Sequence, residues 1–387
     1  MPRPTELFVI ADDLSGAAET AAALARPGDA ARVVLGGGGR PLRSAPGLTV
    51  VDLDSRTATP AAAAAAVRAA LAAAPAGARI LEKIDSLLRG NLAAEIGALS
   101  DAHPVVLAPA LPVAGRTVVD GVVHLSGVAL HHTDAWRMER RAAPPSVAAA
   151  LAPVRTTVLG LDGVRGNTAA ALAAALERAP VVICDAETDA DLDAVAAAAL
   201  AHPDVALAGS GGFAAAVGRT APVSGNGCSD TRIRSRPPSV LVVVGSAADI
   251  AARQVERLLA DGARDIRLPV AGETLAPGVT VLRPAAGVGA DPRAVVAELA
   301  RAVTALDPGP DGADLVLTGG ETARRVLDEL GIDDLEPLGQ IGHGAVRSRT
   351  PDGRHVVTRP GSFGGVDSLR DIVAALQPPT HQDRKAP

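Results

Sequence analysis

Leu7-Phe8-Val9-Ile10-Ala11-Asp12-Asp13-Leu14-Ser15-Gly16-Ala17 decides how this chain folds. Four apolar residues form a run too short for a helix, and a pair of aspartates ends it. An alanine-rich stretch follows directly, with Ser15 placed to cap it. The reading is a strand buried on both faces, a polar turn and a helix. The same grammar recurs, with short apolar runs at 48–51, 104–107 and 181–184 alternating with helical stretches at 17–24, 61–73, 168–178 and 190–200. Such alternation predicts a mostly parallel sheet with helices on both faces. The segment 115–130 breaks the rhythm with a glycine-punctuated, hairpin-like course.

A composition shift then divides the chain. Ser229-Asp230-Thr231-Arg232-Ile233-Arg234-Ser235-Arg236-Pro237-Pro238 is polar, charged and closed by a double proline, as linkers are. Beyond it, Ser239-Val240-Leu241-Val242-Val243-Val244-Gly245-Ser246 starts a second α/β pattern. Strands near 315–317 and 355–358 and helices near 248–259, 293–305 and 321–330 continue it. The expectation is two α/β domains with mostly parallel sheets and an active site in the cleft between them. Their bounds are 1–228 and 239–378, with a linker at 229–238 and a polar tail at 379–387. A length of 387 residues also exceeds what one core usually serves.

Hydrophobic residues make up 48% of the chain and aromatic ones only 1%, so the cores must be aliphatic. A net charge of -6 lacks the basic footprint of nonspecific nucleic-acid binding. Cys184 and Cys228 provide neither a disulfide framework nor metal-ligand spacing, and no residue is assigned to a metal. The first residues lack the apolar core of a signal peptide, and no charge-free stretch reaches the ~18 apolar residues of a membrane span. A soluble, cytoplasmic protein is expected.

Polar residues gather where the apolar runs end. Among 37 basic residues only Lys83 and Lys385 are lysines, so position 83 reads as needing a compact ammonium that a planar guanidinium cannot replace. Glu82-Lys83-Ile84-Asp85-Ser86-Leu87-Leu88-Arg89-Gly90-Asn91 sets two cations, two carboxylates, a hydroxyl and an amide at the end of one such run. Asp12-Asp13, Asp54-Ser55-Arg56 and Gly115-Arg116-Thr117 end or follow others. A solvated turn or a helix cap explains any one of these, but not all together. Open α/β sheets bind ligands outside the carboxyl ends of their strands. There Arg56, Lys83, Arg89 and Arg116 would receive a carboxylate or phosphate, while Asp12 and Asp13 would hold hydroxyls. A small polyhydroxylated acid uses both sets. Asp85, two residues beyond Lys83, is the first candidate for a catalytic base, and Asp13 the second.

The C-terminal half carries three strand–glycine–helix junctions: Val244-Gly245-Ser246, Thr318-Gly319-Gly320-Glu321-Thr322 and Arg359-Pro360-Gly361-Ser362-Phe363-Gly364-Gly365. Each presents backbone N–H groups at a helix start, which suits phosphate oxygens. Ser246, Gly319, Gly320, Glu321, Thr322, Gly361 and Gly364 are therefore the candidates for nucleotide binding. A P-loop is excluded, and the Gly-x-Gly-x-x-Gly turn of dinucleotide folds is missing. The glycines at 36–39 read as a loop, and His343 is a lesser candidate contact.

In this order the landmarks resemble the four-carbon acid sugar kinases, nearly end to end from Asp12 to about Gln377. They are Asp12-Asp13-Leu14-Ser15-Gly16, Asp54-Ser55-Arg56, the run from Lys83 to Asn91, Gly115-Arg116-Thr117, Asp185-Ala186-Glu187-Thr188-Asp189 and the three glycine junctions. The resemblance implies ATP-dependent phosphorylation of threonate, erythronate or 3-oxo-tetronate. It also implies a sugar acid on the N-terminal domain and ATP on the C-terminal one, with Mg²⁺ bridging the phosphates. The chain departs from the family at Ile84 and Leu87, where threonines are usual, and at Arg359, commonly a lysine. It also departs after Gly209-Ser210 and over 133–145. Lost hydroxyls beside Lys83 bear on which acid is bound. A catalytically idle sugar-acid and nucleotide binder is one rival reading; an NAD-dependent acid-sugar dehydrogenase is another, disfavoured by the missing fingerprint. Neither nucleic acid nor a membrane is an expected partner, and a homodimer is the expected assembly.

Overall fold

A computed structural model describes residues 7–25, 30–37, 47–137, 139, 141–220, 239–246, 248–285, 291–306, 312–342, 344–361 and 363–377. The expected linker at 229–238, the tail at 379–387, and Gly38, Gly39, Cys228, His343, Ser362 and Lys385 lie outside the described residues. The chain divides into two compact units, Met1–Cys228 and Ser229–Pro387.

The first unit begins with β1 (Leu7–Ala11), α1 (Leu14–Leu24), β2 (Ala31–Leu35), β3 (Leu48–Asp52), α2 (Pro60–Ala73), β4 (Arg79–Lys83), α3 (Leu92–Ser100) and β5 (Val105–Ala108). A hairpin excursion follows as β6 (Arg116–Val119), β7 (Val122–Leu125) and β8 (Val128–Ala129). Then come α4 (Val147–Leu151), β9 (Thr156–Leu159), α5 (Leu161–Arg165), α6 (Thr168–Leu176), β10 (Val181–Cys184), α7 (Asp189–Leu200), β11 (Ala206–Gly209) and α8 (Gly211–Thr220). The main sheet runs β2-β3-β1-β4-β11-β5-β10-β9, and every neighbouring pair is parallel. Sheets of this kind are covered on both faces, which is why β1, β5 and β10 are apolar and buried at every position. The alanine-rich α2 is capped by Thr59, begins with Pro60 and buries the stripe Ala63, Val67 and Ala70.

The second unit runs β12 (Val240–Val244), α9 (Asp249–Ala260), β13 (Arg264–Arg267), β14 (Val279–Arg283), α10 (Pro292–Leu306), β15 (Asp314–Thr318) and α11 (Gly320–Glu329). It ends with β16 (Asp334–Gln340), β17 (Val346–Arg349), β18 (His355–Arg359) and α12 (Ser368–Leu376). Its strand order is β13-β14-β12-β15-β18-β17-β16, parallel as far as β18 and antiparallel beyond it. Val242, Val316 and Val357 from the strands meet Val255, Leu369 and Ile372 from α9 and α12 in one aliphatic core. Each fully buried side chain of this kind contributes about 1.5–3 kcal/mol. Among the described residues no helix is long and apolar enough to cross a membrane.

Both units are α/β, as the alternation predicts. One local expectation changes: α1 is capped by Asp13, whose Oδ1 accepts from Gly16 N at 2.9 Å, and not by Ser15. The helix begins at Leu14, one residue before the serine, so the Ser15 hydroxyl is already inside the first turn and buried without a partner.

Candidate active site

Strand register builds the site. Ala11 pairs with Asp52 on one side and with Lys83 on the other, and Lys83 pairs with Gly209. The residues that follow β1, β3, β4 and β11 therefore leave the sheet along one edge. After β1 the chain fills β2 and β3 on one side, then crosses to β4 on the other. A reversal of this sort opens a crevice at the carboxyl ends of the two strands. Asp12, Asp13 and Lys83 stand there.

Arg56 organises that crevice. Its Nε donates to Asp12 Oδ2 at 2.7 Å, its Nη2 to Asp12 Oδ1 at 2.8 Å and its Nη1 to Asp13 Oδ2 at 2.7 Å. The loop that carries it is held from α3, where Asn91 Nδ2 donates to the carbonyls of Ser55 at 2.8 Å and Ala58 at 2.9 Å. Burial pushes the Asp12 carboxyl above its ordinary value, and Arg56 offsets only part of this. Burial also works against the guanidinium, yet Asp12 and Asp13 outweigh it and hold Arg56 more firmly charged than usual.

The loop from Ile84 to Asn91 supplies the second ion pair. Asp85 accepts from Arg89 Nε at 2.6 Å, Nη2 at 2.9 Å and backbone N at 3.1 Å. Burial alone would raise the Asp85 carboxyl, but Arg89, then Arg56 and Lys83, hold it far below the ordinary range. Arg116, at the start of β6, donates to Ser86 Oγ and lies within the fields of Asp85 and Arg89. The sequence-chosen Asp12, Asp13, Arg56, Lys83, Asp85, Arg89 and Arg116 are thus brought into one electrostatic cluster. Two residues brace it from outside. Trp136 Nε1 donates to Leu87 O at 2.8 Å, and Asp185 accepts from the backbone of Asp120 at 2.6 Å and Gly121 at 2.9 Å in the β6–β7 turn.

Lys83 is buried and donates to Ile84 O at 3.1 Å. Its nearest carboxylate is Glu19 of α1, at 4.0 Å. Sequence reasoning passed over Glu19, although a lone charge on an otherwise small, mostly buried helix is a readable signal. It also passed over a deeper acidic layer. Ser55 Oγ donates to Glu95 Oε1, and Glu82 Oε2 is buried without a partner. Burial, then the negative charge of Asp12, pushes the Glu95 carboxyl up to about 7, and burial, then the charge of Glu95, raises Glu82 as well.

In the second unit, the register aligns Val244 with Thr318 and Thr318 with Arg359. The three glycine junctions therefore leave adjacent strands at one edge. Gly319 adopts φ 95°, a left-handed conformation that glycine accepts without strain, and α11 begins at the next residue. The junctions also touch: a Cβ on Gly361 would stand 2.6 Å from Ser246 Cβ, and one on Gly245 would collide with the Thr322 hydroxyl. Gln254 of α9, unforeseen in the sequence, donates through Nε2 to the carbonyls of Phe363 at 3.3 Å, Gly364 at 3.4 Å and Gly365 at 2.7 Å. Its Oε1 accepts from Arg359 Nη1 at 2.9 Å, and Arg359 Nη2 donates to Phe363 O. Phe363 N donates in turn to Pro360 O at 3.4 Å, so the turn after β18 is held by its own backbone as well as by Gln254. Glu321 lies in the first turn of α11. Among the described residues no group of three or more His, Cys, Asp or Glu could hold a metal ion.

Comparison with known proteins follows the same division. Residues 7–217 match a family described as a sugar-binding N-terminal domain, and residues 278–369 one described as a nucleotide-binding C-terminal domain. The chain is 34% identical to a D-threonate kinase of Cupriavidus necator, covering 94% of this chain and 96% of that one. It is 32% identical to a D-threonate kinase of Bordetella bronchiseptica, covering 95% and 97%. A D-erythronate kinase of Heliobacterium modesticaldum is 30% identical over 65% of this chain and 60% of its own. A Haemophilus influenzae protein of known structure shares the fold with TM-score 0.69 at 21% identity, covering 96% of this chain and all of that one (100%).

Proposed function

This chain belongs to the family that pairs a sugar-binding N-terminal domain with a nucleotide-binding C-terminal domain, and from that premise we propose that it is an ATP-dependent kinase acting on a hydroxyl of a four-carbon sugar acid. The relatives named D-threonate kinase and D-erythronate kinase support the acid class. The observation that carries the reading is the edge where Asp12, Asp13, Arg56 and Lys83 meet at the ends of β1, β3 and β4. A sugar acid needs cations for its carboxylate and acceptors for its hydroxyls, and this edge offers both.

The first unit takes the acid; the second, through the aligned glycine junctions, takes the phosphates of ATP. Mg²⁺ belongs to the substrate, as Mg·ATP. Phosphoryl transfer asks the protein chiefly for alignment and charge neutralisation. Lys83 and Arg116 serve that end, the former as a compact point charge. Asp12, Asp13 and Asp85 hold the arginines in place and orient hydroxyls. Asp85, with both oxygens on Arg89 and a depressed pKa, is a poor proton acceptor.

The test is ADP release from ATP over a panel of four-carbon acids, D-threonate and D-erythronate among them. Acid-dependent ADP formation is expected. Binding of an acid without ADP release would favour a catalytically idle protein instead.

A further inference from the structure

Three aspartates line the edge described above, and each is already engaged. Asp12 gives both oxygens to Arg56, Asp85 gives both to Arg89, and Asp13 divides its oxygens between Arg56 and Gly16 N. Glu19 differs. Its nearest cation is Lys83 Nζ, at 4.0 Å from Oε2, beyond hydrogen-bonding distance. Lys83 meanwhile directs one of its three N–H groups to Ile84 O at 3.1 Å. The carboxylate and the ammonium thus face each other across a gap with bonding capacity left on both.

Two glycines make that arrangement fit. A Cβ on Gly16 would stand 2.9 Å from Lys83 Nζ, and one on Gly211 would stand 2.9 Å from either Glu19 oxygen. Glu19 is therefore packed against the first residue of α8, where the helix start favours a negative charge. Lys83 from β4 and Arg116 from β6 are the cations whose charges reach it.

We propose that Glu19 is the catalytic residue that accepts the proton of the attacking hydroxyl. This rests on the kinase reading above. In the step, the substrate O–H bond breaks and its proton passes to the Glu19 carboxylate. The freed oxygen bonds the γ-phosphorus, while the bond from that phosphorus to the bridging oxygen breaks and its electron pair leaves with ADP. Lys83 across the gap neutralises charge on the transferred group.

Glu19→Gln keeps the shape of the side chain and removes its basicity. Steady-state ADP release with Mg·ATP and the preferred four-carbon acid should show kcat lowered roughly 10²-fold or more, the scale of a positioned base. KM for ATP should stay near the wild-type value, and Trp136 fluorescence and the melting midpoint should match wild type. Glu19→Asp, which retracts the carboxylate by one methylene, should give an intermediate kcat and serves if the glutamine variant does not accumulate. A wild-type kcat in either variant, or a raised KM for the acid with kcat unchanged, overturns the assignment of Glu19 alone. A wild-type enzyme that releases no ADP with any of the acids overturns the kinase reading and this assignment together.

Discussion

Arg56 and Asp12 meet at two points, Nε to Oδ2 at 2.7 Å and Nη2 to Oδ1 at 2.8 Å, across the ends of two neighbouring strands. This geometry suits a guanidinium and no other side chain. It ties the first residue after β1 to the loop after β3, alongside the backbone bonds from Ser55 N and Arg56 N to Asp12 O at 3.1 Å.

Removing one partner should therefore cost stability as well as activity. Arg56→Ala strips the buried Asp12 carboxyl of its two-point partner and leaves only the field of Lys83 to offset its burial, a loss of about 3–5 kcal/mol. Thermal unfolding followed by circular dichroism should show a clearly lowered midpoint, with Arg56→Lys falling between the variant and wild type. An unchanged midpoint for Arg56→Ala would mean that the pair is dispensable to the fold.

The deeper acidic layer predicts a pH dependence. A glutamate in the unfolded chain ionises near pH 4.5, whereas Glu95 keeps its proton to about 7 in the fold. Between those values the folded state holds the extra proton, so stability falls as pH rises and the penalty is complete above pH 7. Glu82 acts in the same direction. Glu95→Gln keeps an acceptor for Ser55 and abolishes the titration. From pH 5 to pH 8, urea unfolding should shift in favour of the variant relative to wild type, by up to about 3 kcal/mol. A difference independent of pH would remove Glu95 as the source.

Gln254 should separate the two substrates kinetically. Its amide occupies three carbonyls of the loop at 363–365, and its oxygen receives Arg359. Arg359 is buried, and burial lowers its pKa to about 10; the Gln254 oxygen and Phe363 O accept its guanidinium N–H groups. Gln254→Leu forfeits about 1–2 kcal/mol of hydrogen bonding, which corresponds to roughly ten-fold in KM for ATP. KM for the acid should be unaffected. A rise in the acid KM with ATP unchanged would contradict the placement of the nucleotide on these junctions.

Much of this was legible in the sequence because the fold writes itself in uninterrupted apolar runs. β1, β3, β5, β10 and β12 could be read directly, and the residues at their ends followed. β2, β9 and β11, and β13, β14, β16 and β17 of the second unit, were harder. β2 and β13 carry charged residues on exposed positions, and β11 is the short run Ala-Leu-Ala-Gly, whose small residues resemble the alanine-rich helices around it. Helices α3 and α8 were likewise obscured by small residues.

The site shows the same split. Lys83 stood out because lysine is so scarce, and Asp12, Asp13 and Arg56 because they end strands. Which carboxylate is engaged and which is open depends on distances across separate elements. Asp85 looked like a base from its spacing to Lys83, but Arg89, four residues on, takes both of its oxygens. Glu19 was marked only as the lone charge on a small, mostly buried helix, and Glu95 and Gln254 sit inside helices where nothing local distinguishes them from surface charges or amides.

The claim that the edge at β1 and β4 serves phosphorylation of a four-carbon acid is tested most directly by ³¹P NMR. Wild-type protein, Mg·ATP and D-threonate or D-erythronate are mixed and followed with time. The expected result is a new phosphomonoester resonance that grows in step with ADP and only when an acid is present. ATP turnover to ADP and inorganic phosphate at the same rate with and without acid, or no turnover at all, would contradict it.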